Sequence, residues 1–155
     1  MKKLLLSALV VAISIAAFSQ KRIAPTKTAE QRLNEEYCSG LFSTSDGTYF
    51  DMLDDNATIS AKSYFNILDW LQGRVAGLRV YTLRNNDRLP IIRNSVAKIY
   101  VDEIPVAFDF LNSLPVTDIA MIKIIKGPSA GVFGSSGGVI AIYTIGTDDE
   151  EEEEE

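Results

Sequence analysis

Few side chains in this 155-residue sequence are arranged for catalysis. The chain contains no histidine, which removes the usual general base and the commonest metal ligand. Its one cysteine, Cys38, therefore has no histidine to activate it and no second cysteine for an internal disulfide. No pattern supports catalysis by aspartate and glutamate alone. The sequence predicts a protein that is not an enzyme.

Two short patterns are similar to ligand sites, and each lacks an essential part. The three aspartates of residues 51–56 could hold a hard cation loosely, but the segment lacks the glycine and distal glutamate of a calcium loop. The glycine-rich residues 127–138 lack the G-x-x-x-x-G-K-[ST] pattern and lead into a strand, whereas a phosphate cradle leads into a helix. We therefore predict no metal site and no cofactor.

The periodicity of apolar residues predicts short helices and short strands in alternation. Three- and four-residue spacing indicates a helix over residues 61–76, with Ser60 as N-cap and Gly77 as the left-handed residue after its end. A second helical piece is expected at residues 108–114, before a proline. Strands are predicted at residues 78–82, 90–93, 97–101, 121–125 and 139–145, the second at an edge because it contains Pro90.

These elements predict a small α/β or α+β domain at residues 59–147. Four or five short strands form a mixed sheet, and two or three short helices pack against it. Residues 20–58 have no sustained periodicity and are predicted to be a partly ordered tether, with a helix at Ala29–Tyr37. The aromatic residues of this tether could dock on the domain, which is the general tendency of apolar side chains, or on a partner.

Both ends of the chain have distinctive compositions. Lys2 and Lys3 precede an apolar run, and Ala17 and Ser19 supply small residues for cleavage, so residues 1–19 are predicted to be a secretory signal peptide. The alternative is an uncleaved anchor. Residues 148–155 are all acidic and are predicted to be a disordered tail, which solubilises the protein. The alternative is an electrostatic latch, which folds over the arginine stretch or binds calcium or a basic partner. With a net charge of −6, nothing favours nucleic-acid binding.

Four motifs in order resemble the plug domain of TonB-dependent outer-membrane receptors, most closely the SusC-like branch. They are LQGRVAGLRV (residues 71–80), KIYVDEIPV (98–106), LNSLPVTDIAMIKIIKGPSAGVFG (111–134) and GGVIAIYT (137–144). The resemblance covers about residues 60–144. It implies a small α/β plug fold that sits inside a β-barrel, closes its lumen and shifts when TonB pulls.

The resemblance also assigns expected roles to individual residues. Asp102 matches the acid of the family's VDG-[VI]-P turn, and Arg93 is similar to an arginine that typically faces acidic residues of the barrel wall. Glu103 and Asn94 stand where the family usually has glycine. The candidate partner-contact residues are Arg74, Arg79, Arg84, Arg88, Arg93, Asp102 and Lys126; the expected structural turn residues are Gly77, Gly127, Pro128, Gly134, Gly137 and Gly138. The alternative for the arginines is a solvated surface on which some of them pair with Asp87 or Asp69.

The expected function follows from a plug without its own barrel. Only ten residues follow Ile145, too few for a transmembrane barrel. We therefore expect a stand-alone periplasmic protein at the inner face of the outer membrane, which occludes or gates a separately encoded channel. That channel is a TonB-dependent barrel or the type IX secretion translocon, and the TonB system is a further candidate partner. The alternatives are a soluble periplasmic adaptor or ligand-binding module with the plug fold, and a non-functional remnant of a truncated receptor.

Overall fold

The computed structural model describes residues 28–38, 40–44 and 46–146. The predicted signal peptide at residues 1–19 and the predicted acidic tail at residues 148–155 lie outside this described part of the chain. None of the helices within it is long and apolar enough to cross a membrane.

Short helices and strands alternate along the described chain. The α-helices are α1 (Ala29–Tyr37), α2 (Asp55–Ala61), α3 (Ile67–Leu71) and α4 (Pro128–Gly131), and two 3₁₀-helices span Phe108–Asn112 and Val116–Asp118. The strands are β1 (Thr48–Asp51), β2 (Leu78–Thr82), β3 (Arg88–Ile92), β4 (Ser95–Val96), β5 (Lys98–Val101), β6 (Ile104–Val106), β7 (Ile119–Lys126) and β8 (Gly138–Thr144).

A five-stranded mixed sheet forms the centre of the domain. Its strand order is β1-β7-β8-β5-β6, and β5 and β8 are parallel while the other neighbours are antiparallel. Strands β7 and β8 are buried along nearly their whole length, which explains their almost continuous runs of apolar residues. The prediction of a mixed sheet of four or five strands is confirmed.

A second sheet of three strands has the order β2-β3-β4. Here β3 is the middle strand, so the prediction of an edge strand around Pro90 is wrong. Pro90 lies opposite Val80, whose N–H donates to Oε1 of Gln72, and the carbonyl of Pro90 accepts from the N–H of Ala97. A proline is accommodated because no hydrogen bond between these opposite residues requires its missing N–H.

The single helix predicted over residues 61–76 is also wrong. Helix α2 ends at Ala61, and α3 begins after Asn66, whose side chain accepts from the N–H of Leu68 and so starts a new helix. Gly73 adopts φ +89, which ends any helical continuation. The apolar spacing continues across this break, so the break is not visible in the sequence. Phe65, which the pattern placed on the buried face, lies in the turn between the two helices and is 99% exposed.

The other helix predictions are closer to the structure. Helix α1 has the predicted bounds, and Thr28 and Gln31 form a capping box at its start. The helical piece predicted at residues 108–114 is the 3₁₀-helix Phe108–Asn112, which ends two residues early. Val116–Asp118, another 3₁₀-helix, leads directly into β7.

The predicted tether contributes to the folded domain. Strand β1 pairs with β7 at one edge of the large sheet, and Phe42 is fully buried. The predicted domain boundary at residue 59 falls inside α2, which spans Asp55–Ala61. The aromatic side chains of this segment therefore dock on the domain, one of the two alternatives that the sequence left open.

The two faces of the large sheet have separate apolar clusters. The first face packs against α2, α3 and the three-stranded sheet, and its cluster includes Leu68, Leu71, Ile92, Ile122 and Ile140. The second face packs against α1, α4 and the segment that follows α1; its cluster includes Cys38, Phe42, Met121, Ile125 and Tyr143. Each strand of the β7–β8 pair therefore supplies side chains to both clusters.

The glycine-rich loop closes the domain between β7 and β8. Gly127 has φ +77 and precedes Pro128, which lies in the first turn of α4. Gly134 in the same loop also adopts a positive φ, as does Gly77, which lies before β2. Gly137 serves a different purpose, because a Cβ there would lie 2.5 Å from the carbonyl oxygen of Ser95 and 2.8 Å from that of Ile92. Gly138 is also confined, since a Cβ there would lie 3.0 Å from backbone and side-chain atoms.

We expect Gly137→Ala to lower the free energy of unfolding by about 2 kcal/mol, because the added methyl group forces backbone away from backbone. Urea denaturation followed by circular dichroism measures this change. Gly131→Ala is the matched control: it lies in the same loop, and apart from its chain neighbours and its own helix no atom lies within 4 Å of the added Cβ. The control should change stability by less than about 1 kcal/mol. Equal losses in the two variants would contradict the close packing at Gly137.

Candidate functional site

The acidic segment that could hold a cation serves as a helix start. Oδ1 of Asp51 accepts from the N–H of Leu53 at 3.0 Å, and Oδ2 of Asp54 accepts from the N–H groups of Asn56 and Ala57. Across residues 28–38, 40–44 and 46–146, no cluster of three histidine, cysteine or acidic side chains could hold a metal ion. The geometry assigns these aspartates to a turn and to the N-cap of α2.

Cys38 lies inside the second apolar cluster. It is 2% exposed, and burial raises the pKa of its thiol because the thiolate would lose its hydration. The thiol is therefore an apolar packing group at neutral pH and a poor nucleophile.

Two of the five candidate arginines are bound within the domain. Nη1 of Arg74 donates to the carbonyl of Trp70 at 2.7 Å, and its guanidinium lies 4.4 Å from the centre of the Trp70 ring. Nε of Arg88 donates to both carboxylate oxygens of Asp69, at 2.9 and 3.0 Å. Arg88 of β3 links the three-stranded sheet to α3, whereas Arg74 lies in the loop after α3 and contacts Trp70 of α3 and Ser60 of α2. We assign neither arginine to a partner.

The other three candidate arginines are exposed, and none of them has a partner among the described residues. Arg79 lies on β2, Arg84 in the loop between β2 and β3, and Arg93 in the turn between β3 and β4. Within the part of the chain that the structure describes, their side chains make no hydrogen bond and no ion pair. All three are carried by the three-stranded sheet, so their unneutralised charge is concentrated on one substructure.

The outward face of this sheet is partly apolar. Strand pairing places Arg79 opposite Ile91 and Tyr81 opposite Leu89, and Ile91 is also opposite Val96. Tyr81 is 48% exposed and Val96 is 50% exposed, whereas the alternate residues of β2 and β3 face the first apolar cluster. We call this surface, formed by Arg79, Tyr81, Leu89, Ile91 and Val96, the outer sheet face.

The sequence identified Arg79 of this surface as a candidate contact but missed the apolar members of the surface. The alternation of Arg79 and Tyr81 with apolar residues in β2 was the available signal, because alternate side chains of a strand share a face. The corresponding signal in β3 was obscured, since Leu89, Pro90 and Ile91 follow one another without alternation.

The remaining two candidate residues have partners inside the domain. The carboxylate of Asp102 accepts from the N–H and the hydroxyl of Thr144, at 2.9 and 2.8 Å. Nζ of Lys126 donates to the carbonyl of Ala76 at 3.3 Å. The geometry assigns both side chains to internal links, Asp102 between the β5–β6 turn and the end of β8.

Two hairpin turns carry side chains at positions that normally favour glycine or asparagine. Arg93 and Asn94 have φ +50 and +67, and Asp102 and Glu103 have φ +47 and +65. At Glu103 the carboxylate accepts from the N–H groups of Gly40 and Leu41, at 3.2 and 2.7 Å. These bonds offset the backbone strain at Glu103, while the side chain of Arg93 has no such compensation inside the domain.

Comparison with known proteins identifies relatives of this domain. Residues 55–139 match the family model described as the TonB-dependent receptor plug domain. No curated protein sequence matches the chain significantly.

Three solved structures illustrate the likeness in fold. The RagAB peptide importer in its open-open state gives a TM-score of 0.52 at 20% identity, over 65% of this chain and 12% of the importer chain. A mutant of the ferric enterobactin receptor PfeA from Pseudomonas aeruginosa, in complex with enterobactin, gives 0.51 at 22% identity over 64% and 17%. The siderophore receptor PirA from Acinetobacter baumannii gives 0.51 at 20% identity over 78% and 19%. The chain thus matches less than a fifth of each solved protein.

We expect Arg88→Gln to lower the free energy of unfolding by about 1 kcal/mol, because Asp69 would lose its partly buried ion pair. Arg84→Gln, the matched control in the neighbouring loop, should change it by less than about 0.5 kcal/mol. Urea denaturation at low and high salt measures both, and salt should reduce the Arg88 effect. A loss at Arg84 as large as that at Arg88 would contradict the division into bound and unpaired arginines.

Proposed function

The chain belongs to the TonB-dependent receptor plug domain family, and from this premise we propose that it occludes or gates the lumen of an outer-membrane β-barrel supplied by a separate polypeptide. This is a family of receptor domains and not an enzyme family. Plug domains of outer-membrane receptors face the periplasm, and we propose the same location for this protein, at the inner face of the outer membrane. Contact between the two proteins, and no chemical step, carries the function.

The observation that carries this proposal is the outer sheet face together with three arginines of the three-stranded sheet and its loops. Arg79, Arg84 and Arg93 have no carboxylate partner among the described residues, although the domain provides one for Arg88. A guanidinium binds carboxylates through paired, directional hydrogen bonds. Acidic side chains on the wall of a barrel lumen would provide the missing partners.

The apolar part of the outer sheet face supports the same kind of contact. Tyr81 and Val96 are each about half exposed, and Leu89 and Ile91 lie between them in the pairing of the strands. An interface gains affinity from such apolar and aromatic side chains, while charges around them set orientation and rate of association. The face therefore combines an apolar patch with a positive field.

A TonB-dependent receptor barrel is the first partner to test, and the type IX secretion translocon is the second. The tagged protein is purified from crosslinked cell envelopes, and the recovered proteins are identified by mass spectrometry. Enrichment of one outer-membrane barrel supports the proposal. Recovery of soluble periplasmic proteins alone would favour the adaptor function, and recovery of no partner would favour a non-functional remnant; either result contradicts occlusion of a channel.

Participation of the TonB system is tested by repeating the purification from cells that lack TonB.

We expect Arg79→Glu combined with Arg84→Glu to weaken binding to that barrel at least tenfold, because positive charges are replaced by charges of the wall's own sign. The matched control combines Arg32→Glu with Lys62→Glu, which changes the net charge equally at exposed positions outside the three-stranded sheet. Binding to the detergent-solubilised barrel is measured at low and high salt, with circular dichroism as the check on folding. Equal weakening by both variants would show that net charge, and not the outer sheet face, determines binding.

A further inference from the structure

A lysine occupies the centre of the second face of the large sheet. Lys123 lies in the middle of β7, between Met121 and Ile125 on the same face, and it is 0% exposed. Its opposite neighbour on β8 is Ala141, a small residue that leaves room for the lysine stem, and its neighbour on β1 is Tyr49. Nothing in the alternation of β7 requires a charge at this position.

The lysine's acceptors both come from the chain before β1. Nζ of Lys123 donates to Oδ1 of Asn34 at 2.6 Å and to the carbonyl of Phe42 at 2.6 Å, and it lies 4.9 Å from the centre of the Tyr49 ring. Among the described residues, no carboxylate lies within ion-pair distance of this ammonium group. A buried positive charge therefore depends on two neutral oxygens of one peripheral segment.

That segment covers the second face as a band, and we call residues 28–38 and 40–44 the N-terminal strap. Its helix α1 has no fully buried residue, although Leu33 and Tyr37 pack against the second apolar cluster while partly buried. The fully buried apolar side chains of the strap are Cys38 and Phe42. Its other polar attachments are the N–H groups of Gly40 and Leu41, which donate to the carboxylate of Glu103, and Oδ1 of Asn34, which accepts from the hydroxyl of Tyr49 at 3.0 Å. Few buried apolar contacts are typical of a segment that opens before the rest of a protein unfolds.

Lys123 works against closure of the strap. Desolvation by burial lowers the pKa of its ammonium group, since the charged form is the one that loses its hydration. When the strap lifts away, the ammonium group returns to water and this cost is recovered. The burial of Phe42 and Cys38, the bonds to Glu103 and the two hydrogen bonds that Lys123 itself donates to the strap act in the opposite direction.

We infer that the N-terminal strap is a releasable cover, which opens as a unit while the five-stranded sheet stays paired, and that the buried Lys123 keeps it releasable. Opening exposes the ammonium group of Lys123 together with the rings of Tyr100 and Tyr143, which belong to the same cluster. The sheet itself stays folded because β7 and β8 remain hydrogen-bonded to each other and keep all their contacts with the first apolar cluster. This inference concerns the chain alone and does not depend on the proposed barrel partner.

Amide hydrogen exchange of the purified protein, followed by mass spectrometry, tests the inference. In the unsubstituted protein the strap amides should exchange at one common rate, at least tenfold faster than those of β7 and β8. Lys123→Met should slow exchange in the strap roughly tenfold, because a methionine of similar length removes the desolvation cost. Faster exchange in Lys123→Met would show that the lysine fastens the strap, and would overturn the inference.

A pair of glycine substitutions provides an independent test. Glu103→Gly removes the anchor of the strap and relieves the positive φ of its turn, so exchange should rise roughly tenfold in the strap and not in β7 or β8. Asn94→Gly is the matched control, since it relieves the same kind of strain in the β3–β4 turn, away from the strap contacts. It should leave strap exchange within about twofold of the starting rate. If Glu103→Gly accelerates β7 and β8 as much as the strap, the strap is not a separate unit.

Discussion

Burial of both faces of the β7–β8 pair is the constraint on which the rest of the domain depends. The two strands are almost entirely apolar, and a sheet that presents apolar side chains on both sides must be covered twice. Helices α2 and α3 with the three-stranded sheet cover the first face, and the N-terminal strap with α4 covers the second. The two covers differ in strength, because the first is a large apolar cluster while the second must accommodate an ammonium group.

The sequence was informative wherever one local pattern determines the outcome. The strands at residues 78–82, 97–101 and 139–145 were predicted within one residue at either end, because alternation or an unbroken apolar run is sufficient there. The helix over residues 61–76 failed because periodicity does not register a cap: Asn66 interrupts the pattern through a single hydrogen bond. The prediction of an edge strand at Pro90 failed for a similar reason. Whether a middle strand can accept a proline depends on hydrogen bonds that other residues make, here Val80 to Gln72 and Ala97 to Pro90.

Contacts between distant residues also explain what was missed at the candidate site. The sequence identified five arginines and offered Asp69 or Asp87 as partners for some of them. The fold shows that it is Arg88 that pairs with Asp69, and that Arg84 has no partner among the described residues. Lys123 gave no signal, because a single charge in an apolar strand normally indicates a residue that faces water. The strap that buries it belongs to a polar segment whose periodicity predicted little order.

Strand β2, at one edge of the three-stranded sheet, affects how copies of the protein could associate. A strand at the edge of a sheet normally offers free N–H groups to which another strand can add. On β2, the N–H of Leu78 donates to the carbonyl of Val75, and the N–H of Val80 donates to the side chain of Gln72. These two donors are already occupied by the chain that precedes the strand. A strand of another copy that added at β2 would first have to displace both bonds, which opposes the growth of a fibril from this edge.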